Sequence, residues 1–232
     1  IASSLAYGRV AQILKSVEKV LKLVQNPLNF IENNDLKSMK RIFKDFKHRF
    51  TTGDEIASML FAAKGAVESF GSLEGCFCDG FSDSATDIAP AMTKFVDNMN
   101  KLAGKPLGYL LPSPASGSAC KRLNLFARWM VRRDEVDPGF WSRIPPSKLI
   151  IPLDTHMYKI CSSIGFTSRK SADFKTAAEI TASFREFSSE DPVKYDFSLT
   201  RLGIRSDMDP SSFISKFYSG ETNGTCPQKK GF

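Results

Sequence analysis

Apolar residues recur every three to four positions along almost the whole chain, and that spacing restricts it to helices. Ile13, Val17, Val20, Leu21 and Val24 share one helical face, and Gln25-Asn26-Pro27 stops the segment. Met39, Ile42, Phe43, Phe46 and Phe50 form a second stripe, ended by Thr-Thr-Gly. DEIASMLFAAKGAVESF (54–70) predicts a third helix, and Ile88, Met92, Phe95 and Met99 a fourth. Leu123, Phe126 and Met130 mark a fifth, and Ala177, Ile180, Phe184 and Phe187 another. DPVKYDFSLTRLG (191–203) predicts a last helix with Pro192 in its first turn, where a missing N–H is tolerated. No stretch alternates at period two, so the predicted fold class is all-α.

The breaks are short and rich in Gly, Ser and Pro: GSLEGCFCDGFSDS (71–84), LPSPASGSA (111–119) and RIPPSK (143–148). Residues 221–232 predict a flexible tail. No apolar run approaches the length that spans a bilayer, and no signal-peptide pattern opens the chain. It begins at Ile1, inside an amphipathic pattern, which predicts that the natural N-terminus is missing. The excess of 32 Lys+Arg over 25 Asp+Glu gives +7 and favours a polyanionic partner without establishing one. The five cysteines include a C-x-C pair, Cys76 and Cys78, but no C-x-x-C, which argues against zinc or an iron–sulfur cluster. Reduced thiols in the cytoplasm and no cofactor are the expectation.

Two stretches carry chemistry. LIIPLDTHMYKICSSIGF (149–166) delivers Asp154 at the start of a predicted helix, where it can cap the helix, point into a cleft, or both. SPASGSACKRLNLF (113–126) places a Gly/Ser turn before a helix that opens with Lys121. Small residues let a backbone approach an anion, and the free N–H groups of a helix start point at it. A plain interhelical turn with a surface lysine is the other reading. A lysine at a helix start, partly buried, tends toward the neutral amine that acts as a nucleophile. A carboxylate beside it can accept a proton or stabilise a developing cation. Together they equip a site for attack at the anomeric carbon of a nucleoside.

SGSACKRLNLF resembles the helix–hairpin–helix segment of endonuclease III-like DNA glycosylases, in which a Gly-rich hairpin precedes the catalytic lysine. IIPLDTHMYKICSSIGF is similar to the aspartate segment of the same superfamily, and DPVKYDFSLTRLGI (191–204) to its closing helix, in the same order. More narrowly, GSACKRLNLFARWMVRRDEVDPGFW with SKLIIPLDTH and DPVKYDFSLTRLGI resembles a family of bacterial proteins of unknown function, DUF2400, over residues 1 to 205. The resemblance implies two packed helical domains flanking a cleft, 1–146 with a helix–hairpin–helix at about 105–133, and 147–220 with Asp154. It implies Lys121 as Schiff-base nucleophile, Asp154 as essential acid, and Gly117, Ser118 and Ala119 as donors of hairpin amides to a phosphate. SSLAYGRVAQ (3–12) would face the lesion, bringing Tyr7, Arg9 and Gln12 to it. The hairpin departs from the usual pattern in having one glycine rather than two close ones. The wider Lys–Asp separation is nearer to the archaeal 8-oxoguanine glycosylase/lyase branch, and the C-terminal cysteine cluster of the iron–sulfur members is absent.

Arg122, Arg128, Arg132 and His156 are further candidate DNA contacts; Arg128, Arg132 and the neighbouring Arg133 alternatively pair with Asp134 or Glu135, and His156 is alternatively a partly buried polar group. Trp141 is either a base-stacking aromatic or core, Trp129 core, and His48 surface. Asp196 either bonds a base edge or pairs with Lys194. The expected function is a monomeric, nucleoid-associated repair glycosylase with AP-lyase activity on double-stranded DNA carrying a damaged base. The alternatives are a non-catalytic DNA- or RNA-binding module on the same scaffold, and a helical interaction protein.

Overall fold

The computed structural model describes residues 1–204 and Ser215; the predicted tail (221–232), Cys226 and the expected domain limit at residue 220 lie outside the described residues. Among the described residues are α1 (Val10–Val24), α2 (Pro27–Asn33), α3 (Leu36–Ile42), α4 (Gly53–Phe70), α5 (Leu73–Cys78), α6 (Ala89–Ala103), α7 (Lys121–Val131), α8 (Thr155–Ser163), α9 (Phe174–Phe187) and α10 (Asp196–Ile204). The one sheet among them is a two-residue antiparallel ladder, β1 (Lys47–His48) with β2 (Thr51–Thr52). The protein is mostly helical, as the periodicity requires.

α4 is the longest of these helices and the centre of the core. The Thr52 N–H donates to the Glu55 carboxylate at 2.7 Å at its start, and Gly71 ends it in the left-handed conformation. Its Ala57, Ala62 and Ala66 are fully buried, and such small side chains let neighbours approach closely. α6 packs along it with Met92, Phe95, Val96 and Met99, while α3 and α5 pack on its other sides.

Local chemistry displaces several predicted boundaries. Pro27 ends α1 but also opens α2, because Asn26 caps it by accepting the Asn29 N–H at 3.1 Å. The predicted break 71–84 contains α5, started by Ser72, whose hydroxyl accepts the Gly75 N–H at 2.9 Å. The second stripe is not one helix. α3 stops at Ile42; Phe43 and Phe46 are buried from irregular chain, and Phe50 is 68% exposed at the β1–β2 turn. Leu21 of the first stripe is also exposed. The last helix starts at Asp196, and Pro192 lies in a turn before it, closed by Lys194 N–H to Asp191 O and Asp196 N–H to Val193 O.

His48 is buried, contrary to expectation. Its Nε2 lies 3.1 Å from Tyr7 O, which makes that nitrogen the donor, and Nδ1 then accepts from Ser16 Oγ at 2.8 Å.

Residues 149–153 form an apolar strut in which Leu149, Ile150, Ile151 and Leu153 are all buried. It is anchored to α9 by the Ile151 N–H donating to Thr181 Oγ1 at 3.0 Å. Just before it, Lys148 O accepts from the Ile88 N–H at 3.1 Å, at the start of α6. The strut ends at Asp154 and α8, which packs against α10.

Gly53 is a packing requirement. A Cβ there would stand 1.7 Å from Phe43 O, a backbone atom that cannot swing away. Gly53→Ala should therefore lower stability by about 2 kcal/mol or more, read as a lower urea midpoint with an unchanged m-value.

Candidate functional site at a lysine–aspartate pair

The strut leaves Asp154 as the N-cap of α8, and its two oxygens divide the work. Oδ1 accepts the N–H groups of His156 and Met157, both at 2.9 Å, while Oδ2 lies 3.1 Å from Lys121 Nζ. The Asp154 side chain is 14% exposed and that of Lys121 39%, so the pair sits at the protein's edge with the carboxylate sheltered and the amine reachable. Asp154 therefore caps a helix and faces Lys121.

The turn before Lys121 is built from two single-turn 3-10 segments, Gly108–Leu110 and Pro114–Ser116. Two residues then take positive φ, Gly117 at 77° and Cys120 at 49°. Between Pro114 and Lys121 there are thus two left-handed positions but only one glycine, and Cys120 holds the second at a cost of about 1–2 kcal/mol. The Gly117 N–H donates to Pro114 O at 2.9 Å, so this amide is not open to a phosphate. Gly117 O accepts the Phe174 N–H at 3.1 Å, and Ser118 pairs with Asp173 in an isolated antiparallel bridge. Ala119 O accepts from Asn124 Nδ2 at 3.1 Å.

Three arginines expected on the DNA-facing surface are instead internal. Arg128 donates through Nε to Asp137 Oδ2 at 3.0 Å and through Nη1 to Asp196. Arg132 meets Asp137, Asp191 Oδ2 at 2.8 Å and Asp134 Oδ2 at 2.8 Å. Both guanidiniums are buried and occupied by carboxylates, which removes them as phosphate contacts. Arg122, also buried, donates to Ser4 O at 2.9 Å and to Tyr109 O, and lies over the Tyr7 and Tyr109 rings. It secures the chain start to α7 rather than facing solvent.

Tyr7 is part of that clamp. Its hydroxyl donates to His48 O at 2.8 Å and lies 2.7 Å from Thr51 Oγ1, so Tyr7 reaches the start of α7 through Arg122 as a packing residue. Arg9, the N-cap of α1, and Gln12 are exposed, with no side-chain contact to the pair among the described residues. Trp141 is buried between Phe77 and Phe126, both at 5.2 Å, which makes it core rather than a base-stacking platform. Trp129 is half-buried. His156 is exposed beside Asp154, not partly buried. Asp196 is buried and accepts from Arg128 and from Thr200 Oγ1 at 3.3 Å, so it faces protein and not a base, and its partner is not Lys194.

Sequence reasoning missed Asp137, the fully buried hub of both arginines, because DPG reads as a surface turn. The signal was RRDEVD, whose close spacing of basic and acidic residues places a carboxylate within reach of α7. Cys76, Cys78, Cys120 and Cys161 are buried free thiols. Burial pushes Cys120 up to about 11 and Cys161 up to about 12, which leaves Cys120, although adjacent to Lys121, without nucleophilic character. Among the described residues no group of three or more His, Cys, Asp or Glu is placed to hold a metal, and no helix is long and apolar enough to cross a membrane. An apolar cavity of about 360 Å³ lies between the chain start, α2, α4, α6 and α7, and neither Lys121 nor Asp154 lines it.

Fold and site together define a helical protein with a lysine–aspartate pair where the starts of two helices meet. The chain belongs to the DUF2400 family, described as protein of unknown function, whose model matches residues 1–205. No curated protein and no solved structure matches it.

Burial pushes the Asp196 carboxyl up to about 6, against the lowering effect of Arg128, and the charge of Asp154 adds to the rise. A carboxyl raised in the folded state binds its proton more tightly there than in the unfolded chain. Its stabilising contribution is therefore complete below about pH 4 and is lost as pH rises to about 6. Denaturant titrations at pH 4 and pH 7 should show wild type losing about 2 kcal/mol relative to Asp196→Asn over that interval.

Proposed function

We propose that this protein is a DNA base-excision glycosylase with AP-lyase activity, organised as two helical domains (1–146 and 147–220) around a cleft that holds Lys121 and Asp154. One observation carries the reading: the lysine that opens α7 behind a tight turn and the aspartate that caps α8 lie 3.1 Å apart. The two come from segments that resemble the lysine hairpin and the aspartate segment of one glycosylase superfamily.

Damaged duplex DNA presents a flipped nucleotide. Asp154 Oδ2 takes a proton from Lys121 Nζ, and the neutral amine attacks C1′. The C1′–N bond to the base breaks as the C1′–Nζ bond forms, and the leaving base collects the proton. As that proton passes from Asp154 Oδ2 to the leaving base, the regenerated carboxylate stabilises the positive charge left on the sugar. Ring opening gives an imine to Lys121, loss of a C2′ proton breaks the C3′–O bond, and the strand is cut. Because Asp154 is held by two backbone N–H donors, its oxygen keeps its aim throughout. An oxidised purine such as 8-oxoguanine is the first lesion to test, and the protein acts as a monomer.

A second reading, a DNA- or RNA-binding module without chemistry, draws on the internally bonded Gly117 amide and the buried Arg128 and Arg132.

Borohydride trapping separates the two. Duplexes carrying 8-oxoguanine, uracil, an oxidised pyrimidine or an abasic site should give a covalent adduct with wild type on at least one of them and none with Lys121→Ala. Asp154→Asn keeps the helix cap, since asparagine caps as well as aspartate, so it should fold normally while trapping falls by about 100-fold or more. Salt-sensitive binding without an adduct on any duplex would leave the binding module.

A further inference from the structure

The segment TSRKSADFK (167–175) contributes to none of the chemistry above, yet it is tied to both halves of the site. On one side the Tyr158 hydroxyl of α8 donates to Arg169 O at 2.8 Å. On the other, Asp173 pairs with Ser118, and the Phe174 N–H donates to Gly117 O at 3.1 Å. The segment therefore bridges the helix capped by Asp154 and the turn that precedes Lys121.

Its own charges sort into two sets. Arg169 is committed to the scaffold, donating to Asp173 Oδ2 at 2.9 Å and to Thr176 Oγ1 at 3.0 Å. Asp173 accepts from the Thr176 N–H, Ser171 and Arg169, which holds its carboxyl well below the usual range and leaves its charge engaged. Lys170 and Lys175 are exposed, and neither has an ion-pair partner among the described residues. The segment thus engages its one arginine with its own acceptors and leaves two exposed ammonium groups without an ion-pair partner among the described residues, beside a turn whose Gly117 amide is already occupied.

We infer that the 167–175 loop is the backbone grip of this site, with Lys170 and Lys175 contacting phosphodiester groups of the strand that enters between α8 and the hairpin. This rests on the reading of the site as acting on DNA. It also accounts for a hairpin with one glycine: the phosphate contact moves from backbone amides to side chains on the loop clamped against it. Ammonium contacts to phosphate carry no base information, so the loop fixes register and contributes affinity that falls with salt.

The test is fluorescence anisotropy of a labelled duplex with a central tetrahydrofuran abasic analogue, titrated from low to moderate salt, using the full chain. Each of Lys170→Ala and Lys175→Ala should make the slope of log K against log salt shallower by about 0.9, and the double variant by about twice that. Lys170→Arg should restore the wild-type slope. Circular dichroism checks the fold of the lysine variants. Salt-sensitive binding by wild type with unaltered slopes in both alanine variants would overturn the loop assignment and leave the site reading standing. Salt-insensitive or absent binding by wild type would overturn both.

Discussion

Two guanidiniums buried among carboxylates hold this fold together at the point where it matters. Arg128 and Arg132 leave α7 in the direction of Asp137, which the chain returns to them only six residues after α7 ends. Asp191 and Asp196 approach from the far end of the sequence. Burying such charges is costly unless every partner is present, so the network forms completely or the region does not pack. Its reach is mechanical. α7 begins with Lys121, and α10 begins with Asp196 and packs on α8, whose cap is Asp154. Joining Arg128 to Asp196 therefore closes a loop of contacts that sets the lysine against the aspartate. Asp137 Oδ1 and Asp191 Oδ1 are buried without a hydrogen-bond partner, in keeping with an excess of carboxylate over guanidinium.

How far the sequence could be read depended on range. Elements with long regular stripes, α4, α6, α7 and α9, stand close to where periodicity put them, because local spacing and burial agree. Short helices were lost where the cues point two ways. Pro27 stops one helix and starts another, and the Gly- and Ser-rich stretch after α4 conceals a six-residue helix behind a serine cap. Phe50 counts as apolar in any periodicity, yet the chain had already left the helix at Ile42, and a left-handed Arg49 turns it toward solvent.

The site divided in the same way. Lys121 and Asp154 were legible because each sits at a helix start with a recognisable lead-in. The arginines were misplaced because a guanidinium looks alike in sequence whether it meets solvent or a carboxylate sixty residues away. Trp141 and Asp196 followed the same rule, since their surroundings are assembled from α5, α7 and α10 and no local pattern reports them. The bridge from Ser118 to Asp173 is another long-range pairing that spacing does not announce.

The thiols have a consequence of their own. All four described cysteines are sunk in the core, and for Cys76, Cys120 and Cys161 burial pushes ionisation to about 11 or above. A folded molecule therefore offers these sulfurs to neither oxidant nor alkylating reagent, and only an opened one does. Cys120 sits one residue from Lys121 and Cys161 in the helix that Asp154 caps. Modification at those two places records how often the neighbourhood of the pair breathes, so the chain carries a clock for its own local opening.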